Sequence, residues 1–200
     1  MDFAELQAEV IQNTSRPDRS SETSSAVKAA TLKAHQFRGF FFNRDLDFYA
    51  IDLGTRAHLH QWDFKAEIPR YRGLKKSGFT RLENAGDTEG SIVHIIDSSE
   101  ILDSYQRYRT DIAFVAGDVL NIRAAVDFQY ANIGIYTLPD ITDVGYSSWI
   151  ADLHPYSIIW EAARIVCKVI GKDAEAQGFA QQAAEEYINL INNNATDAVI

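Results

Sequence analysis

Apolar positions in the first part of the chain return every three or four steps. Phe3, Leu6, Val10 and Ile11 fall at i, i+3, i+7 and i+8, one stripe of an amphipathic helix. The stretch NTSRPDRSS, Asn13 to Ser21, breaks that period, because Pro17 with its Ser and Asp neighbours forms a turn and caps the next helix. From about Ser21 to His35 the spacing resumes through Ala26, Val27, Ala30 and Ala34 and on to Phe37, which predicts two short antiparallel helices.

The period then drops to two. His58, His60, Trp62, Phe64 and Ala66 alternate with Leu59, Gln61, Asp63, Lys65 and Glu67, and SIVHII at 91 to 96 is a short β-prone run. The clearest strand places Leu120, Ile122, Ala124, Val126, Phe128 and Tyr130 on one face, with Asn121, Arg123, Ala125, Asp127 and Gln129 on the other. Gly117-Asp118 is a two-residue hairpin turn between Ile112 to Ala116 and this strand. Short turns instead of crossover helices predict an antiparallel sheet and argue against a doubly wound nucleotide-binding fold.

After YTLPDITDVGYSS the helical period returns. Ser147 or Ser148 is the cap, and Pro155 either kinks an early helix or starts the main one. Tyr156, Ile159, Trp160, Ala163, Val166, Cys167 and Ile170 share one side, flanked by Ile158, Ala162, Ile165 and Val169. Ser157, Glu161, Arg164 and Lys168 are left as a narrow polar stripe, so this helix must be covered on two sides, one by its own core and the other by a neighbouring subunit. Gly171 ends it, and a last helix runs from about Ala174 to Asn192. The fold expected is α+β: mainly a helical bundle of residues 1–44 and 147–192, carrying a small antiparallel β insert over 45–146, with a C-terminal tail at 193–200.

Composition narrows the function. The 200 residues are 46% hydrophobic and 12% aromatic, ample for a packed core. A single cysteine excludes an internal disulfide. With no basic leader, and no run of about 18 to 20 apolar residues, the expectation is a soluble protein made inside the cell, with no membrane partner. Residues 1–110 hold 15 Lys/Arg against 16 Asp/Glu (−1), and residues 111–200 hold 4 against 12 (−8), which together make the net charge of −9. That balance argues against a sequence-reading nucleic-acid binder. The local exception is RYRGLKKSGFTR, where Arg70, Arg72, Lys75, Lys76 and Arg81 form a basic run, either a solvated loop or a contact for DNA or an acidic partner.

Candidate chemistry is sparse. Cys167 lies near the C-terminal end of an apolar helix and His154 thirteen residues before it, roughly 20 Å along a continuous helix, so they do not form a nucleophile pair. Glu161 is read as the partner of Arg164 or of another subunit. His58 and His60 share a strand face, as metal ligands would, and a metal-dependent hydrolase using them with Asp63 is one alternative reading. A nucleic-acid-binding regulatory module acting through Arg70 to Arg81 is another. The GKD at 171–173 lacks the rest of a phosphate loop, and GDTEG at 86–90 has too few oxygens for a calcium loop. No cofactor is implied.

The order of the segments resembles a known family. RPD after a first short helix, AVKAATLKAHQFRGFFFNRDL, IPRYRGLKKSGFTRL, YRTDIAFVAGDVLNIRAA, IGIYTLPDI and SSWIADLHPYSIIWEAARIVCKVIGKDAEA are similar, in this order and over nearly the whole chain, to bacteriophage head-to-tail adaptor (connector) proteins of short-tailed phages, the tail tubular protein A type. The resemblance implies a non-enzymatic virion protein, assembled in the host cytoplasm as a ring of about twelve copies beneath the portal vertex, where the ring lines the channel for double-stranded DNA without reading its sequence. It implies partners on both sides, the portal protein and the tail nozzle or tail tube protein. Tyr156, Ile159, Trp160, Ala163, Arg164 and Val166 are the implied subunit interface. Asn194, Thr196, Val199 and Ile200 are the implied portal-binding tail, and the Arg70 to Arg81 run is the implied tail-facing or DNA-facing element.

Overall fold

The computed structural model describes residues 1–104, 106–143 and 145–195, with side chains as far as 193. In chain order the elements are α1 (Phe3–Thr14), α2 (Ser20–His35), β1 (Leu46–Trp62), α3 (Phe64–Glu67), β2 (Tyr71–Leu82), β3 (Ser91–Ile92), β4 (His94–Ile95), β5 (Ile112–Ala116), β6 (Val119–Thr137), α4 (Trp149–Leu153), α5 (Pro155–Val169) and α6 (Asp173–Ala195). Two compact units result, one of Met1–Arg44 with Leu138–Ile200 and one of Asp45–Thr137.

In the helical unit, local chemistry sets the ends. Asp2 accepts from the Glu5 amide while Glu5 reaches back to Asp2, a capping box that starts α1. Ser148 caps α4 through the Ala151 amide at 3.1 Å, and Pro155 opens α5, where a missing N–H does no harm. Gly171 takes φ 76° after α5, with its amide on the Lys168 carbonyl and the Lys172 amide on that of Cys167. That is the paired closure of a Schellman motif. Helix α5 packs on α1, α2, α4 and α6, with Ile158, Ile159, Ala162 and Val166 meeting Leu6, Val10, Val27 and Leu190. Ala26, Ala30 and Ala34 keep the α2 face low, so the two backbones approach closely. Each fully buried Ile or Leu contributes about 1.5–3 kcal/mol of transfer free energy.

The β unit is organised by β6. It pairs antiparallel with β1 from Leu46↔Tyr136 to Trp62↔Leu120, with β2 from Tyr71↔Thr137 to Leu82↔Tyr130, and with β5 from Ile112↔Arg123 to Ala116↔Val119. Gly117, at φ 65°, makes the β5–β6 turn. β3 adds to β2, and β4 runs parallel to β5. The six-stranded sheet is nearly closed around Trp62, Phe64, Phe79, Val93, Leu120, Ile122, Ile133 and Ile135.

This corrects the expected fold class. The protein is 45% helical and 31% strand, with a six-stranded, barrel-like sheet and its own core, not a helical bundle carrying a small inserted antiparallel β domain. Three features separate the sheet from the periodicity reading. β1 carries register shifts between Asp52 and Ala57 and between Ala57 and Leu59, which break its alternation. β2 has another between Leu74 and Phe79, inside the basic run that reads as a solvated loop. The strand expected to continue over Leu59 to Glu67 stops at Trp62, because the Asp63 carboxylate accepts from the Ala66 amide at 3.2 Å and caps α3.

Gly90 lies against the Arg81 carbonyl, and a Cβ there would also sit 2.8 Å from Thr80 Cγ2 and 2.9 Å from Leu82 Cδ2. Gly90→Ala is expected to lower stability by roughly 2–3 kcal/mol through overpacking. Gly117→Ala, in open space but at positive φ, is expected to cost about 1 kcal/mol. Urea titration of both variants checks the order, and an equal loss at the two sites contradicts the close approach.

Candidate functional site

Helix α5 presents two chemically different sides. Ile158, Ile159, Ala162, Ala163, Val166 and Cys167 are buried, and so are Ser157 and Glu161, half of the expected polar stripe. The Ser157 hydroxyl bonds back to the His154 carbonyl at 2.8 Å, so it needs no water. Tyr156 is 48% exposed and Val169 64%. From Tyr156 an aromatic column runs across the surface: its ring stacks on Trp160 at 5.5 Å, and Trp160 stacks on Phe179 of α6 at 5.7 Å. Trp160 and Phe179 are partly buried, and Arg164 lies one turn further along α5.

The same helix also holds a charged cluster. Glu161, 2% exposed, accepts from Lys33 Nζ of α2 at 2.8 Å and from Arg164 through Nη2 at 2.6 Å and Nε at 3.1 Å. Burial alone would push its carboxyl up, but the hydrogen bonds from Arg164 and Lys33 outweigh burial and hold it below the usual range. Tyr187 of α6 is buried beside them, with Phe37 stacked on its ring at 4.2 Å and Lys33 Nζ 5.7 Å from its centroid. Its hydroxyl has no hydrogen-bond partner among the described residues. Burial first, and the Glu161 charge second, push that phenol far up, so it stays neutral.

The six residues of the expected subunit interface therefore separate. Ile159, Ala163 and Val166 lie in the chain's own core, and an intersubunit contact on this helix would be made through Tyr156, Trp160 and Arg164. Of the implied tail, Thr196, Val199 and Ile200 lie outside the described residues, as does the side chain of Asn194. Cys167 is buried with Sγ 3.8 Å from Glu175 Oε2, and burial, then the Glu175 charge, pushes its thiol up, away from a nucleophile.

The remaining candidates lie in the β unit. His60 is buried, with Nε2 3.0 Å from both the Ala57 and Phe128 carbonyls, whereas His58 is 59% exposed and faces Asp127 at 3.2 Å. The register shift between Ala57 and Leu59 accompanies this divergence, and among the described residues no three His, Cys, Asp or Glu side chains gather as metal ligands. From Tyr71 onward the basic run is not a loop but strand β2, with Arg70 in the turn before it. Arg72 is buried against Asp45 at 3.5 Å, Arg81 engages Asp111 at 3.3 Å, and Lys75 lies 5.5 Å from the Phe48 ring centroid. Lys76 and Arg70 are exposed. The five cations thus do not act as one surface patch.

Sequence reasoning found Glu161 and Arg164 as a pair but missed Lys33, Tyr187 and Phe179. These lie on helices whose packing against α5 only tertiary structure reveals. No family model matches the chain, and no curated protein matches it either.

Glu161→Gln is expected to destabilise the fold by about 2 kcal/mol at pH 7, because it removes charge-assisted bonds whose cationic partners can still reach water. The folded carboxyl lies below its unfolded value, so this stabilisation is present above about pH 4.3 and is lost as pH falls through the folded value. The gap between the two proteins should narrow in acid, and a gap constant to pH 2.5 contradicts the ion-pair account. Tyr187→Phe should be silent or stabilising within about 1 kcal/mol, since the hydroxyl it removes is unsatisfied. A loss of 2 kcal/mol or more would mean a hydrogen bond to water or to an undescribed residue.

Proposed function

We propose that the protein is a structural head-to-tail adaptor subunit. It closes into a ring beneath a portal vertex, joins capsid to tail and surrounds the DNA path. The aromatic column Tyr156–Trp160–Phe179 is the observation that carries this reading. A partly exposed stack of large rings is the composition of an interface centre, where Tyr and Trp supply most of the binding energy. Ring closure needs a heterologous contact, in which this column meets a different surface of the next copy. The acid excess of residues 111–200 suits a wall past which DNA moves, because clustered cations would hold the phosphates through counterion release. The portal protein on one side and the tail nozzle or tube on the other are the partners, with DNA contacted without sequence preference.

Mixing the purified protein with the portal and measuring the particle mass tests the proposal. The native chain should add about twelve copies, whether or not it forms rings alone. Tyr156→Asp should keep the fold, since the residue is half exposed and a carboxylate suits the first turn of a helix, but should abolish the assembly. No complex at any salt concentration would reject the adaptor reading, and full assembly by Tyr156→Asp would move the interface off α5.

A further inference from the structure

On the outward face of the sheet, where β1, β6 and β5 lie side by side, a cavity of about 590 Å³ opens under the segment after β4. Its walls are apolar: Leu59 of β1, Phe114 of β5, and Ile101 and Tyr108 from the overlying segment. Its polar lining is His60, Gln61, Asn121 and Arg123; His60 Nε2 is taken up by the Ala57 and Phe128 carbonyls and the Gln61 NH2 by Asn121, so the donors left to a ligand come from Asn121 and Arg123. Arg123 lies beneath Tyr108, its guanidinium carbon 4.7 Å from the ring centroid, and its buried Nε makes no hydrogen bond among the described residues. Asn121 uses its amide oxygen to accept from Gln61 at 3.1 Å, which leaves its NH2 group to donate. Asp111, the acid just before β5, is taken up by Arg81 at 3.3 Å and by the Ala125 amide at 3.1 Å. Among the described residues, no carboxylate lines the cavity.

We propose that this cavity binds a small amphipathic carboxylate, its head on Arg123 and Asn121 and its apolar body between Leu59, Ile101, Phe114 and Tyr108. A site that offers donors and no acidic acceptor selects an anion, and a guanidinium fork pairs with the two oxygens of a carboxylate. The volume falls within the range of small-molecule sites, and the aromatic and aliphatic walls exclude a bare inorganic anion as the preferred occupant. The site lies within the β unit and is independent of the aromatic column on α5 and α6.

The test titrates 3-phenylpropionate, and separately its neutral amide 3-phenylpropionamide, into the full-length 15N-labelled protein. Shifts confined to residues around Leu59–Gln61, Ile101, Phe114 and Asn121–Arg123 are expected. The carboxylate should bind at least about tenfold more tightly than the amide, in line with a charge-assisted hydrogen bond. Arg123→Gln should remove that preference while leaving amide binding unchanged, and its spectrum shows directly whether it has folded. If that variant does not fold, Asn121→Ala serves in its place, with a smaller loss expected. Shifts elsewhere, no shifts at 10 mM probe, or equal binding of acid and amide would overturn the proposal.

Discussion

The β unit depends on one strand being paired along both edges. Residues 130–136 of β6 are held between β1 and β2, and residues 120–123 between β1 and β5. A strand in that position cannot shift register without breaking two ladders and turning its inward residues to solvent. Its buried positions change parity along its length: Leu120, Ile122, Ala124 and Phe128 point inward in the first part, and Ala131, Ile133 and Ile135 in the second. The change falls where β1 places Asp52 opposite Tyr130 and Ala57 opposite Phe128, a bulge that absorbs the mismatch. Bulge and parity change together let one long strand serve both ends of a nearly closed sheet.

That arrangement explains what periodicity could and could not reveal. The β5–β6 hairpin was legible because alternation is unbroken from Leu120 to Ala124 and Gly117 supplies the turn. Beyond Phe128 the expected face no longer holds, and Val126, placed inward by alternation, is half exposed. Read as separate short segments, β1, β2 and the end of β6 looked like a minor insert. Their bulges interrupt the period, although the ladders continue through them. In the helical unit the opposite holds. Cap residues and an even 3.6 period placed α5 and its end at Gly171, since these signals are local.

At the candidate site the limit lay in partners, not in elements. Ser157 and Glu161 sit at polar positions of α5, and polarity alone suggests solvent. They are buried because one bonds within its own turn and the other meets two cations, one from a different helix. A pattern along one helix registers the cost of burying a carboxylate but not the Lys33 that offsets it. The aromatic column was half visible for the same reason: Tyr156 and Trp160 are one turn apart on α5, and Phe179 comes from α6.

The ion pairs also bear on how the protein meets a polyanion. Lys33 and Arg164 serve Glu161, Arg72 lies against Asp45, Arg81 engages Asp111, Arg16 bonds Asp18, and Lys172 bonds Glu175. Cations held in such pairs contribute little to an outward field, and phosphates would have to compete with a carboxylate for each one. At long range the net charge of −9 is what remains, and residues 111–200 hold −8 of it. Arg123 is an informative case outside these pairs, because its Nε has no partner among the described residues and apolar walls flank it. A buried donor inside a concave pocket favours a small anion that brings its own apolar surface over a DNA backbone that would have to enter it.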